Sequence, residues 1–99
     1  MGKWHSIWIS ELIISPSVSY KIKRAHNLDP ADIYSTFVAI NGIKSKEDRD
    51  LKHGYRVIAT DFRLALPRVV SLLDPVNPDY SIWSLRTAFR TSNSKLVGR

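Results

Sequence analysis

Two periodicities alternate along the chain. From Lys3 to Ser15 the run KWHSIWISELIIS is dense in β-branched and aromatic residues, which predicts an extended strand, bulged or bent near Glu11. The pattern then turns helical. Ser15 is an N-cap residue and Pro16 suits the first helical position, where its missing N–H has no partner to lose. Val18, Ile22 and Ala25 share a face, and Asn27 ends the helix in the left-handed conformation that asparagine tolerates. A second helix follows at once: Asp29 caps it, Pro30 opens it, Asp32 complements its dipole, and Ile33, Tyr34, Phe37 and Ile40 form its apolar stripe up to Asn41–Gly42.

Residues 43–53, IKSKEDRDLKH, are polar and read as a loop that opens with a short strand at most. Three strands then follow, at 55–62, 68–74 and 80–89, joined by short proline-bearing connections that suit an antiparallel meander. The middle one, RVVSLLD, is apolar at nearly every position, as in a strand covered on both faces. The expected fold is α+β: two N-terminal helices packed on one face of a four- to five-stranded, mostly antiparallel sheet, in the order β-α-α-β-β-β. Residues 1–99 make one domain, with 91–99 a flexible tail.

Composition narrows the function. Hydrophobic residues make up 43% of the chain, too many for a disordered one. No stretch approaches the ~20 apolar residues of a membrane helix, and ELIIS is too short for a signal peptide. Without cysteine, disulfides and thiolate metal sites are excluded, and a cytoplasmic location is expected. Fifteen Lys plus Arg against nine Asp plus Glu leave a net charge of +6, a balance that suits an anionic partner.

The final strand concentrates that charge. Alternation along 82–90 puts Trp83, Leu85, Thr87 and Phe89 on one face and Ile82, Ser84, Arg86, Ala88 and Arg90 on the other. Arg86 and Arg90 are then neighbours, roughly 13 Å apart at ~3.3 Å per residue, with small residues between them. Such a row fits a nucleic-acid backbone, because guanidinium forks match phosphate oxygens. It fits equally well with arginines that pair with carboxylates on the next strand.

Several motifs carry a resemblance. RAHNLDPADIYSTF (24–37) resembles the R-K-H-G-V-(S/T)-x-E-E-(A/V) stretch of BrnT-type toxins, and HGYRVIA (53–59), RVVSLLD and IWSLRTAFR (82–90) are similar to the sheet of that group. Together these motifs span most of residues 5–90; Asn27 stands in place of Gly, and Leu85 where Ala is common. The resemblance implies a RelE-like fold and the toxin of a bacterial type II toxin–antitoxin pair: an endoribonuclease needing no metal or cofactor, covered by a cognate antitoxin. RNA would supply its own 2′-hydroxyl nucleophile, and the protein a proton acceptor, a proton donor and cations for the phosphorane. Arg56, Arg86 and Arg90 match the basic strand positions that would hold the phosphate.

The proton carrier is open. His53 beside Arg56 is a candidate base, or an inert loop histidine. His26 complements its helix dipole, and the three histidines lack zinc spacing. Lys21, Lys23 and Arg24 extend an RNA-binding surface or are simply a solvated helix face. Tyr55 and Tyr80 could stack on a base or donate a proton, or pack as strand aromatics; Trp4 and Trp8 are core or partly exposed rings. The alternative to the ribonuclease is a non-enzymatic basic nucleic-acid-binding or adaptor protein on the same scaffold.

Overall fold

Both helices form where their caps place them. In α1 (Pro16–His26) the Ser15 hydroxyl accepts from Val18 N–H at 3.3 Å. Asn27 turns left-handed at φ 53°, and Leu28 N–H closes on the Ile22 carbonyl at 3.1 Å. The helix buries Ile22 and half-buries Val18, whereas Ala25 is exposed, so the apolar stripe is narrower than expected. In α2 (Pro30–Phe37) the Asp29 carboxylate accepts from Ala31 N–H at 2.9 Å, and Ile33 and Phe37 enter the core. This helix stops four residues before Asn41. Val38 is already extended and bridges in parallel to Ile9, and Ala39 adopts φ 56°, so Ile40 lies outside the helix.

The computed structural model describes residues 3–52, 54–65 and 67–92. Six strands form one mixed sheet: β1 (His5–Ser6), β2 (Glu11–Ile13), β3 (Ile43–Asp50), β4 (Gly54–Asp61), β5 (Arg68–Asn77) and β6 (Ile82–Thr91), in the spatial order β1-β3-β4-β5-β6-β2. The predicted first strand is therefore broken in two. Its start pairs antiparallel with β3 and its end pairs parallel with β6, so one short segment reaches both edges and the sheet must curl. That parallel pair makes the sheet mixed, and the strand count exceeds the four or five expected.

The largest departure is β3. Its eight residues pair with β4 over the whole length, from Ile43–Asp61 to Asp50–Gly54, where a loop was expected. Charge hid the strand: near a sheet edge, charged residues are tolerated and discourage pairing with other chains. At the other end of the meander β6 runs on through Thr91, one residue into the predicted tail, and the remainder of that tail from 93 lies outside the described residues.

The two faces of the sheet differ. The helices cover the inner face, where Ile9, Leu12, Ile22, Leu28, Ile33, Phe37, Ile43, Val57, Ala59, Leu73, Trp83, Leu85 and Ala88 form the main core. Burying a side chain such as Phe37 completely contributes about 1.5–3 kcal/mol. The outer face carries a smaller cluster, Ile58 and Val70 with half-buried Trp4, Phe62, Leu72 and Phe89 around them.

A β-bulge changes which residues of β6 belong to which face. Leu73 pairs with Leu85 but Leu72 pairs with Thr87, leaving Arg86 as the extra residue. Before the bulge Trp83 and Leu85 point inward; beyond it Ala88 is in the inner core and Phe89 in the outer cluster.

Candidate functional site

Because of the bulge, the row of Arg86 and Arg90 on one solvated face is not formed. Arg86 stays outside, where its Nε donates to both carboxylate oxygens of Asp74 on β5, at 3.2 and 3.1 Å. Arg90 is on the helix side. Its Nη1 reaches the carbonyls of His26 and Asn27 at 3.3 and 3.5 Å, at the C-terminus of α1. A cation there complements the negative end of the helix dipole.

Arg56 joins Arg86 on the outer face. In β4, Tyr55, Val57 and Ala59 pack on the inner core, so Arg56 and Ile58 point the other way. Arg56 Nε donates to Asp48 Oδ2 at 3.1 Å, directly across the strand pair. Carrying the β4–β5 register one step beyond Val57–Leu73 sets Asp74 opposite Arg56. Across four strands the outer face therefore reads Asp48, Arg56, Asp74, Arg86, with alternating charge. In both ion pairs the carboxylate is held by Nε, the inner edge of the guanidinium. Each such bond restricts the orientation of its guanidinium plane.

The remaining candidates disperse. Tyr55 is on the inner face with the Arg49 guanidinium 4.8 Å from its ring centroid. Burial, then the Glu47 carboxylate, pushes its hydroxyl up. Lys21, Lys23 and Arg24 are exposed on α1. Arg24 is tied to its own helix, donating to Tyr20 Oη at 2.8 Å. Lys23 meets Arg90 in a groove of about 340 Å³ between the helices and β5–β6, floored by Leu28, Ile33 and Val69 and faced by Asp29 and Asp32. His53 lies outside the described residues. Tyr80 is exposed on the 3₁₀ turn Pro78–Tyr80.

Two features escaped the sequence. Asp48 gave no signal until β3 was known to be a strand; the hairpin through Asp50 and Gly54 then fixes the Asp48–Arg56 pair. Asp74, at the end of the expected strand 68–74, is the carboxylate on the next strand that the pairing alternative for Arg86 anticipates. The sequence pattern places Glu11 at a bend and Tyr34 in an apolar stripe, yet the Tyr34 hydroxyl donates to Glu11 Oε1 and ties β2 to α2. That bond, with help from Leu12 N–H, lowers the Glu11 carboxyl, and it raises the Tyr34 hydroxyl.

Among the described residues, no helix is long and apolar enough to cross a membrane. No family model matches the chain, nor does any curated protein or solved structure.

Proposed function

We propose that the protein binds RNA on the outer face of its sheet, with Arg56 and Arg86 as phosphate ligands. One observation carries this reading: both guanidinium groups lie on the face the helices leave open, the Arg86 side chain 40% exposed and that of Arg56 14%, each held through Nε by a carboxylate of the adjacent strand. Orienting a fork in advance lowers the conformational entropy that phosphate binding costs. The net charge of +6 supplies the long-range attraction that such a partner requires.

A metal-independent endoribonuclease toxin of RelE/BrnT-like type, held in check by a cognate antitoxin, is the enzymatic form of the same reading. Two successive helices packed on one face of the sheet favour it. Cleavage by 2′-hydroxyl attack would need a proton acceptor beside the bound phosphate, and the carboxylates touching the two arginines are Asp48 and Asp74. The non-enzymatic form, a small RNA-binding or adaptor protein, needs only the arginines and is the one the geometry supports best.

Fluorescence anisotropy with labelled single-stranded RNA tests binding, and gel analysis of the same RNA tests cleavage. Arg56→Ala and Arg86→Ala should each weaken binding roughly 10- to 100-fold, the value of a hydrogen bond to a charged group. Binding unchanged in both variants would remove the site. Chelator-resistant cleavage, with arrested growth when the protein is induced in bacteria, would establish the toxin.

A further inference from the structure

We infer that Trp4 and Phe62 form a base-stacking platform for single-stranded RNA whose phosphates lie on Arg56 and Arg86. The inference rests on the RNA-binding reading above and adds what part of the RNA is read. The two rings meet edge to face on the outer surface, 5.0 Å between centroids and 62° between planes. They are half-buried, so each ring is supported from below by Ile58 and Val70 while part of it stays open to solvent.

Cations surround the pair. Lys46 Nζ lies over the Trp4 ring, 5.3 Å from its centroid. The Arg68 guanidinium, which also donates to the Leu64 and Phe62 carbonyls, lies over the Phe62 ring at 5.2 Å. A stacking base takes the place of these cations on the ring faces. Among the described side chains of this face, Lys44, Lys46, Arg56, Arg68 and Arg86 outnumber Asp48 and Asp74, which pair with Arg56 and Arg86, a balance complementary to a polyanion. A sheet face that sets aromatic rings among cations takes up unpaired bases, since each base offers a π-face and each nucleotide a phosphate. Duplex bases are stacked on one another and cannot reach the rings. Phe62 follows Arg56 by six residues, and β4 ends between them at Asp61. At ~3.3 Å per residue that is about 20 Å, room for several nucleotides between clasp and platform. Half-buried Leu72 and the buried Ile58 floor the path.

Tryptophan fluorescence isolates the platform. Trp83 is buried, with its Nε1 donating to Ser81 Oγ at 3.0 Å, and Trp8 is exposed. In a Trp8→Phe protein the tryptophan open to a ligand is therefore Trp4. A short oligoadenylate should bind and quench it, whereas inorganic polyphosphate should bind without quenching, and an RNA duplex should do the same. Trp4→Leu should weaken oligoadenylate binding roughly 5- to 150-fold, the value of one stacked base, and leave polyphosphate binding unchanged. Phe62→Leu should act in the same direction if Trp4→Leu does not fold. Oligoadenylate binding seen by anisotropy without quenching would overturn the platform and leave the arginine clasp standing. Failure of both polyanions to bind would overturn the clasp and the platform together.

Discussion

Arg86 and Arg90 are four residues apart in one strand and stand on opposite faces of the sheet, Arg86 bonded to Asp74 outside and Arg90 to the last carbonyls of α1 inside. Alternation alone would have paired them. The bulge at Arg86 adds one residue to β6 relative to β5, and every side chain beyond it changes face. The separation leaves Arg86 on the open face beside Asp74 and Arg90 at the C-terminus of α1.

Arg90→Ala should therefore lower stability and leave RNA affinity nearly intact. A cation at a helix C-terminus contributes typically 0.3–1 kcal/mol, so thermal unfolding should shift down by a few degrees. The check is a melting curve beside an RNA titration; equal loss of affinity in Arg90→Ala and Arg86→Ala would return both arginines to one site.

Asp61 makes stability depend on acid. Its nearly buried carboxylate accepts from Arg63 Nε at 3.0 Å and Nη2 at 2.9 Å, and these bonds hold its pKa below the ordinary aspartate range. A lowered folded-state pKa means the contribution is complete above the unfolded value near ~3.9 and is lost as pH falls through the folded value. Asp61→Asn should cost about 1–3 kcal/mol at neutral pH. The melting-temperature gap between wild type and variant should hold down to about pH 4 and close below it.

Of the two described glycines, Gly42 is the one whose replacement should cost more. It has φ +99°, and an added Cβ would stand 2.5 Å from Arg63 Nε, the guanidinium already anchored on Asp61. Gly42→Ala should destabilise by about 1–3 kcal/mol. Gly54→Ala, with φ +81° and open space around it, carries the backbone strain without the clash and should cost less in the same denaturant titration.

Ser71 offers a gain. Its hydroxyl is fully buried on β5, flanked across the sheet by Ala59 and Ala88, and has no hydrogen-bond partner among the described residues. An unpaired buried hydroxyl costs about 1–3 kcal/mol, so Ser71→Ala should raise the melting temperature by several degrees. A lower melting temperature would show that the hydroxyl is satisfied.

The helices were legible because their signals are local: Ser15–Pro16 and Asp29–Pro30 mark the starts, and Asn27 marks a stop. The three apolar strands were legible from composition. β3 was not, because its stability comes from eight cross-strand partners on β4 rather than from its own residues. The bulge was hidden for another reason. Trp83-Leu85-Thr87-Phe89 alternates as well as Trp83-Leu85-Ala88 does with one slip, so the sequence supports both registers and only the pairing with Leu72 and Leu73 selects one. The arginines of the candidate site were therefore visible, and their grouping was not.

The salt dependence of RNA binding tests the central claim most directly, because each phosphate contact contributes about 0.7 to the slope of log K against log salt for a single strand. The account predicts that Arg56→Ala and Arg86→Ala each reduce the slope by about that amount and that Arg90→Ala leaves it unchanged. A slope lowered by Arg90→Ala and untouched by the other two would place the RNA on the helix side and contradict the account.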